Sequence, residues 1–198
     1  ATIADPEFEE IVGYRYSYDA NGIRTSKLGS LDSHQYQTLN GKVILERITL
    51  PKRQRRILAF FYDESGRPFA LNYSTNGTSF TTYYYILNLQ GDVVKLVEAD
   101  GTPAAEYSYD AWGKVLSATG TMAEINPLRY RGYYYDAETG FYYLQSRYYD
   151  PANRRFINAD RYASTGQGFI GCNMFAYCGN NPVLNKDLSG DFWEETID

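Results

Sequence analysis

The sequence predicts an all-β fold: a curved antiparallel sheet of successive β-hairpins, with a loop-rich element at its C-terminal end. Three observations predict it. Tyr supplies 21 of the 198 residues and Phe another 10, and aromatic side chains suit a pleated, half-buried surface. Seventeen Gly provide for tight turns, because Gly takes positive φ without steric cost. A Tyr-Asp pair also recurs in one frame along the chain. Tyr18-Asp19-Ala20-Asn21-Gly22, Tyr62-Asp63-Glu64-Ser65-Gly66 and Tyr109-Asp110-Ala111-Trp112-Gly113 share it. Tyr135-Asp136 reaches Gly140 with one residue added, and Tyr149-Asp150 opens the frame but lacks the Gly.

Each frame reads as a hairpin corner. The Asp carboxylate accepts a backbone N–H two residues on, and the Gly reverses the chain. The preceding Tyr ends a strand, ring on the sheet and hydroxyl toward water or a backbone group. Between the corners, Val12–Tyr18 alternates so that Val12, Tyr14, Tyr16 and Tyr18 share one face. Asn40-Gly41 is a strong hairpin signal before the strand Lys42–Thr49. The basic run Lys52-Arg53-Gln54-Arg55-Arg56 lies between strand-like 43–48 and 57–62, which makes it a solvated hairpin loop. Strands are expected at 82–87 and 92–98 around Asn88-Leu89-Gln90-Gly91, and at 103–109 after Asp100-Gly101. This gives about ten short strands between residues 12 and 150. Helix is expected only as single turns at 160–163 and 173–177. The texture changes after Asn126-Pro127, so residues 1–126 read as the hairpin segment, 127–190 as a second element and 191–198 as a stub.

Composition excludes several functions. A net charge of −5 and a pI near 5.0 argue against nucleic-acid binding, which needs a basic face. No stretch has the apolar length to span a bilayer. Ala1–Glu7 has no basic leader or apolar region, so an exported parent would carry its signal elsewhere. Cys172 and Cys178 could close a small disulfide loop, but two buried thiols are the plainer reading. Two Cys and one His cannot build a Cys/His zinc cage, and the acidic residues lack calcium-loop spacing. No metal or cofactor is expected. His34, in a strand-like stretch, does not support a His-dependent nucleophile, and Gly166-Gln167-Gly168 reads as a turn.

From residue 126 the residues carry a resemblance. The block Asn126-Pro127-Leu128-Arg129-Tyr130-Arg131-Gly132-Tyr133-Tyr134-Tyr135-Asp136 is followed by Glu138–Pro151, by Arg155–Asp160 and by Asn173–Val183. Together they strongly resemble the Rhs repeat-associated core domain. Upstream, residues 88–92 and 109–114 look like the YD repeats that precede that core, especially in Gram-positive wall-associated members. The resemblance implies a secreted or cell-surface bacterial protein of the polymorphic-toxin kind. Its repeats form a shell wall, its core domain curls inward as a plug, and a variable C-terminal toxin or effector domain sits inside. The partners implied are that effector and the rest of the shell.

Some members of the resembled family cut themselves after the core, using two aspartates before an Asp-Pro-x-Gly-Leu segment. Two neighbouring carboxylates can share a proton and act as base and acid toward water. By position, Asp160 and Asp187 match that pair, with Arg155 as charge partner. This chain instead reads Asp187-Leu188-Ser189-Gly190-Asp191, so the scissile context is altered. A non-catalytic reading is preferred, in which both aspartates cap turns and pair with Arg154, Arg155 or Arg161. A further alternative is a cell-wall carbohydrate-binding module, with Tyr14, Tyr16, Tyr84 or Tyr134 exposed for sugar stacking. Enclosure instead expects those rings buried, stacked across strands and near Arg129, Arg131 and Arg147. A repeat cut from its neighbours leaves a raw sheet edge near the amino end, so self-association is expected.

Overall fold

Alternation decides which side of each strand meets the core. In β3 (Ser33–Leu39) the buried residues are His34 and Tyr36, while Gln35 and Gln37 face out. In β9 (Pro103–Tyr109) Ala105 and Tyr107 are buried and Glu106 and Ser108 exposed. A computed structural model describes residues 13–160, 173–187 and 189–191, and the backbone of 193–195. The chain forms two compact units, residues 1–61 with 70–82, and residues 62–69 with 83–198.

The first unit holds β1 (Arg15–Tyr18), β2 (Arg24–Leu28), β3, β4 (Lys42–Thr49), and most of β5 (Arg55–Tyr62) and β6 (Pro68–Ser74). Neighbours in sequence are antiparallel neighbours in the sheet. Asn40 and Gly41 both have positive φ, 50° and 75°, the mirror-image turn that matches strand twist. Where Gln37 pairs with Leu45 and Thr38 with Val43, Ile44 is the extra residue of a bulge. The bulge resets the alternation, so Val43, Glu46 and Ile48 are all buried. The basic loop contains a 3-10 turn at Pro51–Arg53 with Lys52 and Arg53 at positive φ, and residues 51–55 are exposed.

In the second unit β7 (Thr81–Leu87), β8 (Val93–Val97), β9 and β10 (Val115–Thr119) again follow chain order. A 3-10 turn at Tyr130–Gly132 leads into a four-stranded sheet of β11 (Tyr134–Asp136), β12 (Phe141–Leu144), β13 (Arg147–Asp150) and β14 (Arg155–Phe156). Finally β15 (Asn185–Asp187) pairs with β16 (Trp193–Glu195). The core of this unit is aromatic. Tyr130, Tyr133, Tyr142, Tyr149, Phe156 and Tyr177 pack with Leu144 and Cys178, and Tyr109, Trp112 and Tyr135 lie against them. Tyr149 stacks on Tyr177 at 3.9 Å between centroids, and Tyr130 and Tyr133 meet edge to face at 6.2 Å. Each such pair adds about 0.5–1.5 kcal/mol beyond area burial.

The all-β expectation holds, with differences in detail. Ten strands lie between Arg15 and Thr119, and three more end by Asp150. Residues 173–177 form a turn in which Ala176 bridges to Arg155, and the 3-10 turn comes at Cys178–Asn180. Val12, Cys172, Gly166–Gly168 and residues 161–163 lie outside the described residues. Cys178 is a free, buried thiol. Burial does not fall on all the tyrosines expected for enclosure. Tyr14 and Tyr84 are about two-fifths exposed, at 39% and 42%, whereas Tyr134 is buried.

Candidate functional site

The Tyr-Asp frames fold into corners with one hydrogen-bond plan. At Asp19 the backbone N–H donates to the Ile23 carbonyl, and the Gly22 N–H donates back to the Asp19 carbonyl. The carboxylate Oδ1 accepts from Asn21 and Ile23, each at 2.9 Å. Asp63 and Asp110 repeat the plan over Asp63–Arg67 and Asp110–Lys114. Glu98–Thr102 has the same backbone pair, with Asp100 as the capping carboxylate. Asn88 heads a further corner, its Oδ1 accepting from Gln90 and Asp92. Tyr135-Asp136 departs from the plan: the Gly140 N–H donates to the Asp136 carbonyl, but the Asp136 side chain is buried. At Tyr149-Asp150 the Asp150 Oδ1 accepts from Ala152 and Asn153, and Arg154 takes the positive φ, 60°.

Two corners receive side chains from residues 129–149. Tyr130, Tyr149 and Tyr142 donate their hydroxyls to the consecutive carbonyls of Ala111, Trp112 and Gly113, at 3.0, 2.7 and 2.8 Å. Gly113 also fits by lacking a side chain, since a Cβ there would sit 2.5 Å from the Tyr130 ring. The Asn88 corner is held by Arg131. Its N–H donates to Asp92 Oδ1 at 3.0 Å, and its guanidinium donates to the Gln90 carbonyl at 2.7 Å and to the Pro182 carbonyl. Asn88 makes this possible, because its amide donates to Asp92 Oδ2 and leaves Oδ1 for Arg131. Behind both corners Asn126 accepts from the Tyr85 hydroxyl at 2.7 Å and donates to the Leu128 carbonyl at 2.7 Å. The Arg129 guanidinium lies over the Tyr135 and Tyr107 rings.

Arg147 organises the end of the described chain. It is 3.0 Å from Asp160 Oδ2 and 3.7 Å from Asp187 Oδ2, with all three groups buried. Its Nε donates to the Gly190 carbonyl. Asp187 Oδ1 accepts from Ser189 and Gly190 N–H groups at 3.2 and 2.7 Å, and the Tyr133 hydroxyl donates to the Asp187 carbonyl. Burial raises the Asp187 carboxyl to about 6, against the pull of those N–H groups and Arg147. Asp160 and Asp187 are thus joined through a shared cation. Arg155 is not that cation: it is exposed on β14, because strand alternation turns it away while its neighbour Phe156 points into the core. Leu188 and Arg161 lie outside the described residues.

The family described as Teneurin YD-shell matches residues 9–183. The chain belongs to this YD-shell family. Among curated relatives, the tRNA3(Ser)-specific nuclease WapA of Bacillus spizizenii is 36% identical over 178 residues, covering 88% of this chain and 7% of that protein. The tRNA nuclease WapA of Bacillus subtilis is 35% identical, covering 88% of this chain and 9% of the relative. The chain therefore spans under a tenth of these relatives. The crystal structure titled TcdB2-TccC3-TEV matches with a TM-score of 0.72 at 22% identity, over 89% of this chain and 9% of that one. This likeness supports the fold: a YD-shell segment of the Rhs type, built of antiparallel hairpins.

Within this YD-shell segment the corner residues are readable from local spacing. Three groups are not. The hydroxyl partners of Trp112 and Gly113 come from residues 37 and 29 positions away, and no local motif marks them. Arg147 stands out in the sequence only as an aromatic neighbour; its position between two dense Tyr runs is the available hint. Asn126 reads as a boundary, although Asn before Pro-Leu-Arg is also the kind of residue that can bridge several buried groups.

Proposed function

We propose that this YD-shell segment is a non-catalytic wall and plug that encloses and presents a C-terminal effector domain in a secreted or surface-bound bacterial protein. Residues 1–126 supply the wall hairpins, 127–190 the plug, and 191–198 the start of the variable region. The docking of the Tyr130, Tyr142 and Tyr149 hydroxyls on the Ala111–Gly113 corner carries this reading. It makes residues 129–149 a fixed layer on the hairpins, held by neutral hydroxyls at one corner and by Arg131 at the other. The Arg147 clamp on Asp160, Asp187 and the Gly190 carbonyl gives the chain beyond it a fixed point of departure. Limited proteolysis of the parent polypeptide tests it. Wild type should protect the region after residue 198, and Arg131→Ala should expose it; equal cleavage of both would refute enclosure.

A second reading, self-cleavage after the core, is favoured by one observation: the two aspartates are gathered on one Arg beside the Gly190 carbonyl. Against it, Asp187 Oδ1 is already occupied by two N–H groups, and a cation stands where an aspartic pair holds a proton. Intact mass of a chain extended past Asp198 separates the readings. A single uncut species, unchanged by Asp187→Asn, is expected.

A further inference from the structure

His34 is the single histidine of the chain, and both of its ring nitrogens face carboxylates. Nδ1 lies 2.5 Å from Glu46 Oε1 on β4, and Nε2 lies 3.1 Å from Asp32 Oδ2 in the turn between β2 and β3. The imidazole and Glu46 are buried, with side chains 9% and 2% exposed, while Asp32 is partly open at 24%. The ring is 6.2 Å from that of Tyr36, near parallel. Two cations on β2 stand nearby. Lys27 pairs with His34 across the β2–β3 ladder with its ammonium over the Tyr14 ring, and Arg24 lies over the Tyr16 and Tyr36 rings. From β4, Ile48 stands opposite His34 and brings no charge.

A neutral imidazole has one N–H and one lone pair. It can serve one carboxylate, and it must turn its lone pair toward the other. With both carboxylates ionised, both contacts become hydrogen bonds only when both nitrogens carry protons. A buried carboxylate facing a lone pair is costly, whereas charge-assisted hydrogen bonds are about twice as strong as neutral ones.

We propose that Asp32, His34 and Glu46 form a proton-binding clasp that fastens the β2–β3 turn and β4 to β3 while the ring is charged, and slackens when the ring gives up its proton. Nothing in the enclosure reading requires this clasp, and it would give the wall hairpins a pH response of their own. Burial opposes the charge on the ring, as does Lys27, but the hydrogen bonds to Asp32 and Glu46 outweigh them and hold His34 above its ordinary 6.5. A folded-state pKa above the unfolded one stabilises fully below the unfolded value and is lost as pH rises through the folded value. Asp32 moves the other way: its hydrogen bond to His34 holds it below 3.8, so its contribution fails only in stronger acid. The clasp is therefore closed from about pH 4 to the His34 midpoint, and it opens on the alkaline side.

Because there is one histidine, the chain has a single imidazole Cε1–H resonance, and no second histidine competes for its assignment. Its titration midpoint should lie above 6.5, and Asp32→Asn, at the partly open end, should lower it by about one unit. Amide exchange at Gln35 and Gln37, corrected for intrinsic base catalysis, should speed up several-fold between pH 6 and pH 9 in wild type and stay level in His34→Gln. A wild-type midpoint at or below 6.5 overturns the clasp, even if every variant fails to fold. A midpoint that Asp32→Asn leaves in place overturns it as well.

Discussion

Both units bury charge, but the second adds a layer of buried neutral hydroxyls. The first places charges in its sheet: Arg24, Lys27, His34 and Glu46 are all under a tenth exposed. The aromatic core of the second uses neutral hydroxyls, and Tyr130, Tyr142 and Tyr149 each end on a backbone carbonyl. A charge-based arrangement depends on protonation and loses strength when one partner titrates. A phenol buried against a carbonyl stays neutral: burial raises Tyr130 to about 12 and holds Tyr142 well above 10. The hydroxyl layer is thus insensitive to pH over the range in which the histidine responds. The second unit also buries charge, in Arg129, in Arg131 beside Asp92 and in the Arg147 cluster, and the last offers the sharpest test of the comparison.

Arg147→Ala should have the largest effect. It strands two buried carboxylates and releases the Gly190 carbonyl, which should cost about 3–5 kcal/mol in denaturant unfolding. Next comes pH. Asp187 has its folded pKa raised from 3.8 to about 6, so the stabilisation is complete below 3.8 and lost as pH rises through about 6. From Asp187 alone, wild type should be more stable at pH 4.5 than at pH 7.5 by about 2 kcal/mol, and Asp187→Asn should remove that share while leaving the share due to His34. Gly113→Ala should cost about 2 kcal/mol, because φ is +85° and the new methyl meets the Tyr130 ring. Tyr142→Phe leaves the Gly113 carbonyl without its donor and should cost about 1–2 kcal/mol with no change in pH profile. Tyr84→Ala, on the open face, should change stability by less than about 0.5 kcal/mol, and it should leave retention on peptidoglycan unchanged at a negligible level. Retention that Tyr84→Ala abolishes would favour the sugar-binding reading instead.

What is legible in the sequence is local. Asp19, Asp63 and Asp110 reveal themselves because a side chain that caps a backbone two residues away writes its partner into the spacing. Lys42–Thr49 and Pro103–Tyr109 are readable to the residue for the same reason: turn chemistry brackets them. The bulge at Ile44 is not, since it depends on how β3 and β4 pair. Proximity in sequence to Asp160 favours Arg155 over Arg147, but strand alternation turns Arg155 outward. Tyr14 and Tyr84 look like Tyr142 and Tyr149 in composition. Burial separates them, and it depends on contacts distant in sequence that no short stretch encodes.

Strand order within each unit has a consequence for how the molecule is made. Within each of the three sheets among the described residues, every strand after the first pairs with the one synthesised just before it, so loop-closure entropy is small at each of these steps and hairpins can add one by one as the chain leaves the ribosome. The contacts of residues 129–133 work to another clock. Arg131 waits for a carbonyl 51 residues later, and Tyr133 for one 54 residues later. The hairpins can thus form before Arg131 and Tyr133 find their carbonyls, and a translational pause before residue 187 would leave both donors waiting.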